Sequence, residues 1–96
     1  MKYNFLNNIK VSDETNVRIL LYEIRDRNPN AIKFNITTND VTSILFYMKI
    51  KHYHTISLLY GELLVNEILK IYEEYENFEE CQIIKNELEI LKKYKT

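Results

Sequence analysis

The 96-residue chain carries 13 Lys and Arg against 14 Asp and Glu, a net charge of −1, so no global electrostatic pull draws it to DNA, RNA or anionic lipid. Hydrophobic residues make up 46% and charged residues 28%, a balance too apolar for disorder and suited to one folded domain spanning residues 1–96. One cysteine excludes an internal disulfide, one glycine and one proline leave no glycine-rich loop for a nucleotide, and no segment approaches the roughly 18 apolar residues of a membrane span.

The opening "MKYNFLNNIK" lacks the apolar run of a signal peptide, and the expectation is a cytoplasmic protein with no membrane association and no cofactor. Tyr3, Phe5, Ile9 and Val11 share one parity, which predicts a short strand over about 3–11. "SDET" then starts a helix over about 13–27, with Ser12 as N-cap and Val17, Leu20, Leu21 and Ile24 at helical spacing. "AIKFNIT" alternates Ile32, Phe34 and Ile36 against Lys33, Asn35 and Thr37, a strand pattern over about 31–37.

"TTND" caps a second helix, about 40–52, carrying Val41, Ile44, Leu45 and Met48. From Ile56 the pattern Ile56, Leu59, Tyr60, Leu63, Leu64, Ile68, Ile71, Tyr72 reads as one helix over about 56–76. Gly61 lies inside it, which suggests close approach of another backbone. A last helix over about 79–94 shows Cys81, Ile84, Leu88 and Leu91 at helical spacing. The predicted fold is mainly α, with α+β as the alternative, ending in an antiparallel helical hairpin that holds much of the core.

The stretch "FYMKIKHYHT" (46–55) concentrates the groups that could do chemistry. His52 and His54 are two apart, so they share a face on a strand but lie about 200° apart on a helix, and neither case supplies a third ligand nearby. No metal is expected on that ground. A nucleic-acid surface would use Lys49, Lys51, His52 and His54 for phosphate contacts and Tyr47 and Tyr53 for stacking. The simpler reading is the edge of a core, with tyrosine bodies buried and hydroxyls at the water. No catalytic template has specific support, and Cys81 at an apolar helical position reads as a buried thiol.

Residues 76–92, "ENFEECQIIKNELEILK", carry Phe78, Glu79, Ile84, Glu87, Leu88, Leu91 and Lys92 in an order that resembles the UVR motif, the short helical hairpin of excision-repair proteins of the UvrB and UvrC type. Cys81 and Gln82 stand where that motif has a small-residue pair, and Lys85 and Asn86 where it has Arg–Asp. The resemblance implies a protein–protein docking hairpin with the Phe78–Leu91 segment as its contact.

The function these features favour is a non-enzymatic inhibitor or adaptor that occupies the surface of a protein partner. Eight tyrosines supply interface-type residues. The predicted contact set is Tyr72, Glu73, Glu74, Tyr75, Glu76 and Phe78, joined by Ile83 and Ile90, which lie off the Cys81–Leu91 stripe and offer spare apolar surface for a partner or a homodimer. Small size and the Asn, Lys and Ile usage of an AT-rich genome suggest a phage or other mobile-element inhibitor of a host nucleoprotein machine, of the anti-CRISPR kind. A small nucleic-acid-binding regulator using 47–54 is the alternative.

Overall fold

A computed structural model describes residues 14–95, which form five α-helices and one 3-10 turn. The first helix, α1 (Glu14–Arg27), buries Val17, Leu20, Leu21 and Ile24 and ends on Arg25 and Arg27, where cations suit the negative end of the helix dipole. The strand expected over 3–11 and the Ser12 cap lie outside the described residues. A 3-10 turn (Pro29–Ala31) follows, its first turn closed by the Asn28 side chain accepting from the Asn30 N–H.

Residues 32–37 are not a strand, although their alternation is real. Ile32 is buried, Phe34 and Ile36 pack against the core, and Lys33, Asn35 and Thr37 face water. The segment runs without a sheet partner among the described residues. Two carbonyls that a partner strand would have taken are bonded by side chains of α1 instead: Arg25 Nη2 donates to the Phe34 oxygen at 3.0 Å and Arg18 Nη1 to the Ile36 oxygen at 3.3 Å. Alternation reports which side faces the core, and a single extended segment packed on helices alternates as a strand does.

Thr37 and Asp40 then form a reciprocal capping box, with each side chain accepting from the other's backbone N–H, and start α2 (Thr38–Lys49) two residues earlier than expected because Asp40 is its third residue. The helix also stops three residues early. Lys51 takes a left-handed φ of 62°, the Lys51 N–H donates to the Met48 oxygen and the His52 N–H to the Tyr47 oxygen at 2.9 Å. These paired bonds are the helix termination in which glycine is usual, here built on a lysine.

The helix expected over 56–76 is two helices, α3 (Tyr53–Tyr60) and α4 (Glu62–Glu74). Gly61 separates them at φ 105° and ψ 147°, a conformation glycine adopts without a steric penalty. A Cβ built there would meet nothing within 4 Å, so Gly61 serves the backbone angle and not the close packing expected of it. α4 ends as α2 does: Glu76 sits at φ 58°, its N–H donates to the Glu73 oxygen and that of Asn77 to the Tyr72 oxygen, both at 3.0 Å.

Through that turn the chain enters α5 (Phe78–Lys95), which packs on both α3 and α4. The expected two-helix hairpin is therefore part of a three-helix unit. The core is shared more widely than expected, because α1 and α2 contribute Leu20, Leu21, Ile24, Val41, Ile44 and Met48 to the same buried cluster. Buried Glu67 ties α4 to the turn after α1: its carboxylate accepts from Asn28 Nδ2 at 3.2 Å and Lys70 Nζ at 3.1 Å. A desolvated carboxylate persists only with such partners.

Candidate functional site

The turn between α2 and α3 and the first residues of α3 bring most of the 46–55 stretch against α5. Glu80 is the centre of this contact. Its side chain, 9% exposed, accepts from Lys51 Nζ at 2.8 and 2.9 Å and from the Tyr53 hydroxyl at 2.6 Å. One turn pair along the same face, Glu87 meets His54, with Nδ1 and Oε1 2.6 Å apart and the His54 backbone N–H aimed at the same oxygen from 3.4 Å. Residues 80 and 87 are seven apart, so both carboxylates lie on one face of α5 and latch the α2–α3 corner to it.

This geometry divides the basic and aromatic set. Tyr53 is fully buried and Lys51 and His54 are paired with carboxylates, which leaves Lys49 and His52 exposed and Tyr47 half-buried. Burial pushes the Tyr53 phenol up, with the Tyr72 and Glu80 charges adding to the shift. His52 and His54 follow neither of the two sequence expectations. His52 is the N-cap of α3 and outside its helical repeat, and the two rings come to 5.3 Å between centroids. Among the described residues no group of three His, Cys, Asp or Glu side chains is placed to hold a metal ion.

The acidic and aromatic set is divided as well. Tyr72 is fully buried and belongs to the core, not to a contact face. Among the described residues its hydroxyl has no hydrogen-bond partner within bonding geometry, although the Tyr53 hydroxyl, which donates to Glu80, lies close enough for the two phenols to act on each other's ionisation. Burial first, then the Glu80 charge, raises the Tyr72 phenol well above its ordinary range. Glu74 is held by Arg27 through two bonds, at 2.6 and 3.0 Å, a pairing that lowers its carboxyl. Tyr75 is half-buried against the core, and Ile83 and Ile90 are half-buried, so α5 has less spare apolar surface than its sequence suggests. Glu73, Glu76 and Phe78 face water, with Phe78 64% exposed.

A group of exposed leucines lies where none was expected. Leu58 is 62%, Leu59 57% and Leu63 47% exposed, three leucines in six residues around the Gly61 break. Beside them a groove of about 300 Å³ is lined by Ala31, Tyr60, Gly61 and Leu63, with Asn30, Lys33 and Glu62 at its polar parts. Reading 56–76 as one helix turns Leu59 and Leu63 inward. The break resets the helical phase, and Leu64, Val65 and Ile68 become the buried face.

Cys81 is buried and its thiol is raised, chiefly by burial and then by the Glu73 charge, an environment that suppresses the reactive thiolate. No helix among the described residues is long and apolar enough to cross a membrane. No protein-family model, curated protein or solved structure matches this chain.

Proposed function

We propose that this protein works by binding another protein, with the Leu58–Leu59–Leu63 corner and its adjoining groove as the contact. The observation that carries the reading is the exposure of three large aliphatic side chains within six residues. Scattered exposed leucines are ordinary on a soluble protein, whereas a cluster beside a groove is the usual form of a docking surface. Aliphatic side chains desolvate at little cost, so this corner suits the central part of an interface with Lys33 and Glu62 at its rim.

The nucleic-acid reading draws less from the geometry, because Lys51 and His54 already have carboxylate partners and Tyr53 has no exposed face for a base. The narrower reading, an inhibitor of a nucleoprotein machine that mimics its acidic ligand, rests on exposed Glu73 and Glu76 beside Phe78. Charge reversal at Glu73 and Glu76 separates the two protein-binding versions: it abolishes binding by an acidic mimic and leaves the leucine corner working.

A photo-crosslinking residue at position 59, compared with one at exposed Asp26 on α1, tests the contact in cells that express the protein. The expected result is a discrete adduct from position 59 alone, lost on adding Leu58→Glu and Leu63→Glu to a chain that still folds. An adduct with a second copy would identify the partner as the protein itself. Equal labelling from both positions, or none from either, would refute the assignment.

A further inference from the structure

Two imidazoles stand together at the α2–α3 corner, and among the described residues only one of their ring nitrogens has a partner. His54 Nδ1 lies 2.6 Å from a Glu87 oxygen. An ionised carboxylate only accepts, so Nδ1 carries the proton, and in the neutral ring the lone pair is on Nε2. The His54 side chain that carries this nitrogen is still 21% exposed. His52 is exposed, and although it holds the N-cap of α3 its side chain makes no cap hydrogen bond. Ser, Thr, Asp or Asn is the usual N-cap, so helix capping does not account for an imidazole there.

The spacing of the rings has a chemical meaning. With a Zn–N bond of roughly 2.1 Å and a ring centre roughly 1.1 Å beyond each nitrogen, two imidazoles on one tetrahedral ion have centroids about 5 Å apart. Here the separation is 5.3 Å. We propose that His52 and His54 form a two-histidine binding site for an imidazole-preferring divalent cation such as Zn2+, with Glu87 as the carboxylate that orients His54 from behind. Glu87 fills the place that a carboxylate or carbonyl takes behind most metal-bound histidines, fixing the tautomer and raising ligand basicity. Spacing along the chain offers no sign of it, because Glu87 is 33 residues away from His54.

With two protein ligands, the remaining coordination positions belong to water or to a group brought by another molecule. The site is therefore weak and exchangeable, unlike a structural zinc site with four protein ligands. The positive end of the α3 dipole opposes a cation at this corner, and the Glu87 carboxylate offsets it. Lys51, the nearest base in sequence, is engaged by Glu80.

The chain holds only these two histidines, so their ring proton resonances report the site directly. Titration of the full chain with ZnCl2 should shift both rings together along one saturable isotherm that fits a single site per chain. His52→Ala should fold as the parent does, since that ring makes no cap bond, and should lose saturable binding; His54→Ala should lose it too. Glu87→Gln should keep the one-to-one stoichiometry and weaken binding about 10–100-fold, the usual effect of removing such an orienting carboxylate. Absence of a saturable shift in the parent, or undiminished binding by His52→Ala, would overturn the site. Undiminished binding by Glu87→Gln would overturn the orienting role.

Discussion

Lys51 and Glu76 occupy the same place in two equivalent helix terminations, each left-handed, at φ 62° and 58°, which makes their glycine substitutions a matched pair. A left-handed conformation costs an L-residue about 1–2 kcal/mol, and glycine gives back about 0.5–1 kcal/mol of that through its greater unfolded-state freedom. Glu76 is exposed, so Glu76→Gly should stabilise the protein by about 0.5–1 kcal/mol, roughly 2–8 °C in Tm for a domain of this size. Lys51→Gly relieves the same strain and also strips the ammonium from Glu80, whose side chain is 9% exposed while that of Lys51 is 43% exposed. Hydrogen bonds to charged groups contribute about 1.5–3 kcal/mol, and the exposure of Lys51 reduces this to about 1–2 kcal/mol. The relief and the loss work against each other, so Lys51→Gly should end at or below the parent and at least about 1 kcal/mol below Glu76→Gly. Urea unfolding followed by circular dichroism measures both differences. A Lys51→Gly variant stabilised as much as Glu76→Gly would show that the Lys51–Glu80 pair contributes nothing, and a destabilised Glu76→Gly would refute the strain argument.

Gly61→Ala should destabilise by about 1–2 kcal/mol although a Cβ there meets nothing within 4 Å; an unchanged melting curve would mean that the α3–α4 corner relaxes freely. Tyr53→Phe removes a 2.6 Å bond to the buried Glu80 carboxylate and should cost about 1.5–3 kcal/mol, whereas Tyr72→Phe deletes an unpartnered buried hydroxyl and should be neutral or stabilising. The reverse order in chemical denaturation would refute the assignment of partners. Both phenols are raised above 10.0 in the fold, so the stability they contribute is complete below pH 10 and is lost as pH rises beyond it toward their folded values. In an alkaline titration, tyrosinate absorbance from these two should appear together with loss of helical circular dichroism. Ionisation of all eight tyrosines near pH 10 with the helices intact would contradict the buried network.

Local signals in this chain are strong where a helix or a turn is decided by its own residues. The Val17–Leu20–Leu21–Ile24 stripe and the polar caps of residues 37–40 are readable because helical spacing and capping chemistry act within four residues, whereas the reciprocal Thr37–Asp40 pairing that sets the start of α2 came only with the fold. Tyr72 illustrates a signal that pointed two ways. It sits on the apolar repeat that includes Ile68 and Ile71, which marks it for the core, and beside an acidic run, which marked it for a surface. Its complete burial follows the repeat.

The residues themselves determined the helical class, the inward side of each element, and even the correct facing of Ile32, Phe34 and Ile36 in a segment that is not a strand. Tertiary structure decided where the helices stop and which charges meet. A left-handed lysine or glutamate leaves no compositional mark as glycine does, so the turns at Lys51 and Glu76 are invisible until the flanking helices have packed. The break at Gly61 shifts the phase of everything after it, and so turned Leu59 and Leu63 from expected core to exposed corner. Glu80 and Glu87 found Lys51, Tyr53 and His54 across roughly thirty residues, because periodicity reports which way a side chain faces and only the packed chain settles what it faces.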